Sequence, residues 1–100
     1  MTPEKNVQNK IVSYLKKLEK EGKPVYVERR QAGGFAYKMG IADLYAIVDG
    51  LHLEIEVKRP GAKNQQSEQQ KIHENNIKKA GGIYLLADDL ETVKNLIERN

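Results

Sequence analysis

The chain has 100 residues, 17 of them lysine or arginine and 14 aspartate or glutamate, a formal charge of +3 and no cysteine. That length suits one small domain spanning 1–100, with a single core and no room for a second, and the missing thiols exclude disulfides and zinc–thiolate sites, so any metal must be held mainly by oxygen. The mild positive charge permits a nucleic-acid partner without requiring one, while the lack of a long apolar run or signal-peptide pattern predicts a soluble cytoplasmic protein with no membrane partner.

In chain order, Val7, Ile11, Leu15 and Leu18 recur at spacings of three and four from Pro3 to about Glu21. Thr2 and Pro3 supply a cap and a first turn, so this segment is predicted helical. Glu-Gly-Lys-Pro at 21–24 ends it, and VYVER at 25–29 alternates like a strand. RQAGGFAYKMG, with three glycines and no period, is predicted to be a loop at least partly on the surface. DLYAIV and LHLEIEVK flank Asp49-Gly50, a pair suited to positive φ, and form a predicted antiparallel hairpin in which Leu51 belongs either to the turn or to the second strand. RPGAKNQQ is a polar, basic loop. Ser67 then caps a helix running through Ile72, Ile77 and Ala80 to Gly81-Gly82. IYLLA at 83–87 reads as a strand, and a last helix from about Leu90 to Glu98 packs through Val93, Leu96 and Ile97. The order α-β-β-β-α-β-α predicts an α/β fold: a helix between the hairpin and IYLLA adds a parallel neighbour, giving a mixed central sheet flanked by helices.

The charges of the second hairpin strand stand out in this pattern. Glu54, Glu56 and Lys58 share one face, while Leu53, Ile55 and Val57 line the other and build the core. Across the turn, Asp43 comes opposite Glu56 or Lys58 depending on register. The simplest interpretation is a salt-bridged face turned to solvent. Against it stand Gly40, three residues before Asp43 at the strand entry, where a glycine lets the backbone turn closely, and the cationic loops carrying Arg30, Lys38, Arg59 and Lys63, an arrangement suited to a phosphate chain bridged by metal. Two carboxylates can hold Mg²⁺ or Mn²⁺ in oxygen coordination, and a lysine beside them can orient a water or stabilise developing charge.

Asp43, followed thirteen positions later by Glu56-Val57-Lys58 across a hairpin, resembles the PD-(D/E)XK nucleases, with Ala42 standing where the pattern has proline. The whole set is similar to the VRR-NUC family: P-E-K-N-V-Q in the first helix, R-R-Q-A-G-G, G-I-A-D, E-V-K, S-E-Q-Q-K and the A-G-G helix stop. The resemblance implies a restriction-endonuclease-like core and a metal-dependent DNA endonuclease. In it Asp43, Glu56 and the Val57 carbonyl hold Mg²⁺ or Mn²⁺, and Lys58 is the catalytic lysine. Gln70 lies near the site on the following helix, Glu4 approaches the metal or a water from the first helix, and Arg30 contacts substrate. It also implies a homodimer acting on branched DNA in the manner of Holliday-junction resolvases, in the cytoplasm of a bacterium or a phage-infected host. An inactive or partner-dependent nucleic-acid-binding or assembly module is the competing function.

The remaining candidates have simpler alternatives. Glu54 either sits near the metal or pairs with Lys58 or a loop cation, and Gln70 and Glu4 are also common as a solvated helix residue and a charge favourable to a helix start. His52 and His73 lack the companions and spacing of a zinc pair. His73 is predicted to be partly buried on its helix. One of Arg29 and Arg30 points inward and the other outward, and Phe35 and Tyr37 either stack on a splayed base or pack down their loop.

Overall fold

The computed structural model describes residues 1–30 and 39–100. The loop predicted around Phe35 and Tyr37, and the substrate-contacting role expected of Lys38, lie outside the described residues. Among the described residues the elements are α1 (Pro3–Lys20), β1 (Val25–Arg29), β2 (Leu44–Val48), β3 (Leu51–Val57), α2 (Glu68–Lys79), β4 (Ile83–Ala87) and α3 (Leu90–Arg99). This is the order read from the sequence. The sheet runs β1-β2-β3-β4, antiparallel across the first two pairings and parallel between β3 and β4.

Local chemistry sets the boundaries. Thr2 accepts a hydrogen bond from the Lys5 amide at 3.1 Å and starts α1, whose Val7, Ile11, Val12 and Leu15 are buried. Asp49 and Gly50 both adopt positive φ, 51° and 83°, the conformation of a two-residue hairpin turn that matches strand twist, and this places Leu51 in the strand. Ser67 and Gln70 form a reciprocal capping box at the start of α2, and Asp89 caps α3 through the Thr92 amide.

The apolar core occupies one face of the sheet. Ile11 and Leu15 of α1 and Val93 of α3 meet Leu44, Ala46, Leu53, Ile55 and Val57, all fully enclosed; each leucine, isoleucine or valine among them contributes about 1.5–3 kcal/mol of burial energy. α2 lies on part of the other face, packed against β4 and reaching the charged end of β3, without burying any residue of its own; Ile72 on its outer side is 50% exposed and Tyr26 on β1 51%. That helix is held largely by polar contacts, described below.

The register orders the α2 side of the sheet into rows. Tyr26, Ile47 and His52 pair across the strands; Glu28, Tyr45, Glu54 and Tyr84 form the next row; and Glu56 pairs with Leu86 beyond it. The Arg30 amide donates to the Asp43 carbonyl at 2.7 Å, extending the ladder past the ends of β1 and β2 and placing Asp43 in the row of Glu56. No helix among the described residues is long and apolar enough to cross a membrane.

Candidate functional site

The charged face of β3 is not turned to solvent. Glu54 and Glu56 are 4% and 6% exposed, so the simple picture of a solvated salt-bridge face fails because α2 lies over it. Burying a carboxylate is costly unless partners replace its hydration. The two glutamates meet that cost differently.

Glu54 is neutralised within the protein. Its Oε1 accepts from Arg30 Nη1 at 2.8 Å and lies 2.9 Å from His73 Nε2, while the Arg30 guanidinium also sits 4.9 Å from the centre of the Tyr45 ring. Of the two partners foreseen for Glu54, the structure selects the loop cation and leaves Lys58 to Glu56. His73, partly buried as expected, completes the group; its pairing depended on the packing of α2 and had no signature in the sequence.

Glu56 has much less compensation. Its neighbour across the hairpin is the Asp43 carboxyl, and Asp43 Oδ2 accepts the Val57 amide at 2.8 Å. Burial first, and then the neighbouring Asp43 carboxyl, push the Glu56 carboxyl up to about 9, while Lys58 pulls it down. Lys58 Nζ stands 3.9 Å from Glu56 Oε2 and donates to Gln70 Oε1 at 3.1 Å. Gln70 Oε1 also accepts the Ser67 amide at 3.0 Å, so one side chain both caps α2 and fixes the lysine.

An open cleft of about 420 Å³ lies over this group, lined by Glu4, Asp43, Glu56, Lys58 and Gln70 together with Gly40, Ile41, Gln65, Ser67 and Gln69. Gly40 makes the close approach possible. It has φ of 69°, and a Cβ there would collide with the Gln69 carbonyl at the start of α2. The sequence marked Gly40 as a tight backbone position; the part of the molecule it packs against was not readable there.

The other expected cationic residues have separate placements. Arg30 is 29% exposed and tied to Glu54. Lys63 donates to Thr92 Oγ1 at 2.9 Å beside Asp88, at the start of α3, and is not among the residues lining the cleft. Arg59 is exposed just beyond β3, and Arg29, also exposed, donates to Gln8 and Asn9 of α1. A further polar group escaped sequence reading: the buried Tyr84 hydroxyl, which has no hydrogen-bond partner among the described residues.

Among the described residues, no three histidine, cysteine, aspartate or glutamate side chains gather into a metal-holding group. The cleft instead offers two adjacent carboxylates, with Glu4 at its rim. The Val57 carbonyl points to the same strand edge as the Val57 amide, and hence toward Asp43, because both groups of one extended residue face one edge. This is a set of hard oxygen donors, in which a bound cation would displace the proton that burial and Asp43 hold on Glu56. It fits Mg²⁺ or Mn²⁺, which are commonly held by one or two carboxylates, with water and substrate phosphate supplying the remaining oxygens. Comparisons with family models, curated proteins and solved structures give no match.

Proposed function

We propose that the protein is a divalent-metal-dependent DNA endonuclease of the VRR-NUC type, built on a PD-(D/E)XK core and cutting branched DNA as a homodimer. The observation that carries this reading is the adjacent Asp43 and Glu56 carboxyls, Glu56 buried and Asp43 half-buried, with Lys58 beside them in the lining of an open cleft. The β-hairpin followed by a crossover helix and a parallel strand supports the same core.

Asp43, Glu56 and the Val57 carbonyl would hold Mg²⁺ or Mn²⁺, with Glu4 at the outer side. When bound, the ion supplies Lewis acidity toward the scissile phosphate and activates water as the nucleophile. Lys58 brings a positive charge next to the pair, where it orients the attacking water and stabilises charge developing on phosphate oxygens. Gln70 holds the lysine by its terminal nitrogen, so the ammonium occupies a defined place before substrate arrives. Arg59 offers a phosphate contact at the mouth of the strand. Lys58 and Arg59 at this end of β3 are cations suited to phosphate, which favours recognition of DNA shape and backbone. Two symmetric copies would supply the paired cuts that a four-way junction needs.

The test is cleavage of labelled four-way junction, flap and linear duplex DNA with Mg²⁺, Mn²⁺ or EDTA, alongside Lys58→Ala and a measurement of molecular size. Paired symmetric nicks in the junction are expected, lost in EDTA and in folded Lys58→Ala. Junction binding with no cut under either metal would overturn the nuclease reading in favour of a binding or assembly module.

A further inference from the structure

A second cavity, of about 340 Å³, opens farther along the same sheet face, at the opposite end of α2 from the carboxylate pair. Its size is that of a site for a small organic ligand. Tyr45 and His52 supply two rings, with centroids 6.0 Å apart and the Tyr45 hydroxyl 2.6 Å from His52 Nδ1. Ile77 and Ala80 add apolar surface, and the backbone at Gly81-Gly82 closes one side. These walls suit a flat, partly apolar ring.

Glu54 gives the cavity its polarity. Both of its protein contacts fall on Oε1, and Oε2 has no hydrogen-bond partner among the described residues. Among those residues the unpartnered polar atom that is fully sealed is the Tyr84 hydroxyl, so Oε2 keeps some access although Glu54 is 4% exposed, and Glu54 lines this cavity. A carboxylate oxygen can only accept from a ligand donor. The C-terminal end of α2, the negative end of its dipole, borders the same space and favours donors again. Among the described residues no lysine or arginine lines the cavity, which argues against phosphate as the occupant.

We propose that this cavity receives one unpaired nucleobase carrying an exocyclic amine, with the amine donating to Glu54 Oε2 and the ring lying against Tyr45 and His52. The inference rests on the DNA reading of the neighbouring site. Glu54 lies one same-face step along β3 from Glu56, about 7 Å, and both cavities are lined from β2 or the residues just before it. A base next to the cleaved phosphate is therefore within reach. Cytosine, adenine and guanine offer the amine. Thymine offers a ring nitrogen donor between two carbonyl oxygens, which a carboxylate repels.

The probes are the four deoxynucleosides, titrated in EDTA into isotope-labelled protein while backbone amide resonances are followed. Deoxycytidine, deoxyadenosine or deoxyguanosine is expected to shift the amides of Tyr45, His52, Glu54, Gly81 and Gly82, with thymidine at least about tenfold weaker, the scale of one hydrogen bond to a charged group. Ala80→Trp, at a position of ordinary backbone geometry, fills the cavity and is expected to abolish those shifts; Tyr45→Leu removes a ring and provides an independent variant. Absence of the shifts for every nucleoside at millimolar concentration overturns the proposal, as does equal binding of thymidine or unchanged binding in the folded variants. Because the readout needs neither metal nor cleavage, its failure is distinguishable from failure of the nuclease reading.

Discussion

Replacing Glu56 by glutamine should make the metal-free protein more stable as pH rises, although it removes a residue of the proposed site. In the folded chain the Glu56 carboxyl is pushed from 4.5 up to about 9, chiefly by burial and then by Asp43. The folded state therefore holds a proton that the unfolded chain releases, so stability is greatest below the unfolded value and falls as pH climbs toward the folded one. Each pH unit within that window costs up to about 1.4 kcal/mol. Between about pH 5 and about pH 8 the loss is on the order of 2–4 kcal/mol for this one group, or roughly 10–25 °C in melting midpoint for a domain of this size. Denaturant melts in EDTA across that range should show the slope in the native chain and a much flatter profile in Glu56→Gln. Adding Mg²⁺ at the alkaline end should restore stability to the native chain and do little for the variant, since the cation takes the place of the proton. Parallel pH profiles for the two proteins, with equal response to Mg²⁺, would refute the argument that Glu56 is the strained carboxyl.

Two further outcomes follow from the contacts around α2. Gly40→Ala should cost more than about 2 kcal/mol, combining left-handed backbone strain with a clash against the Gln69 carbonyl; urea unfolding measures it, and a loss within experimental error would mean the loop does not seat on α2. Gln70→Ala should cost about 1 kcal/mol by removing half of the capping box, and should lower kcat more than it raises KM because Lys58 loses its anchor. Gln70→Glu should recover the cap, which thermal melts would detect, and keeps an oxygen that accepts from the lysine.

Fold and site were legible to different depths. Helix and strand boundaries are local matters of periodicity, caps and turns, so Thr2, Ser67 and Asp49-Gly50 announced α1, α2 and the hairpin before any packing was known. That Asp43 faces the charged end of β3 was also readable, but the choice between Glu56 and Lys58 waited on the register, which the two-residue turn settles in favour of Glu56. What α2 does could not be read in the same way. Its composition gives a polar surface helix, and only its placement over β3 buries Glu54 and Glu56, delivers His73 to one and Gln70 to the lysine beside the other, and leaves a cavity at each end. Arg30 likewise had a charge in the sequence but no partner, and the fold gave it Glu54, 24 positions away. Sequence alone determines which groups can be near when short-range geometry links them. The cost of a buried charge, and hence its chemistry, depends on which distant element covers it, and that was decided only when the chain packed.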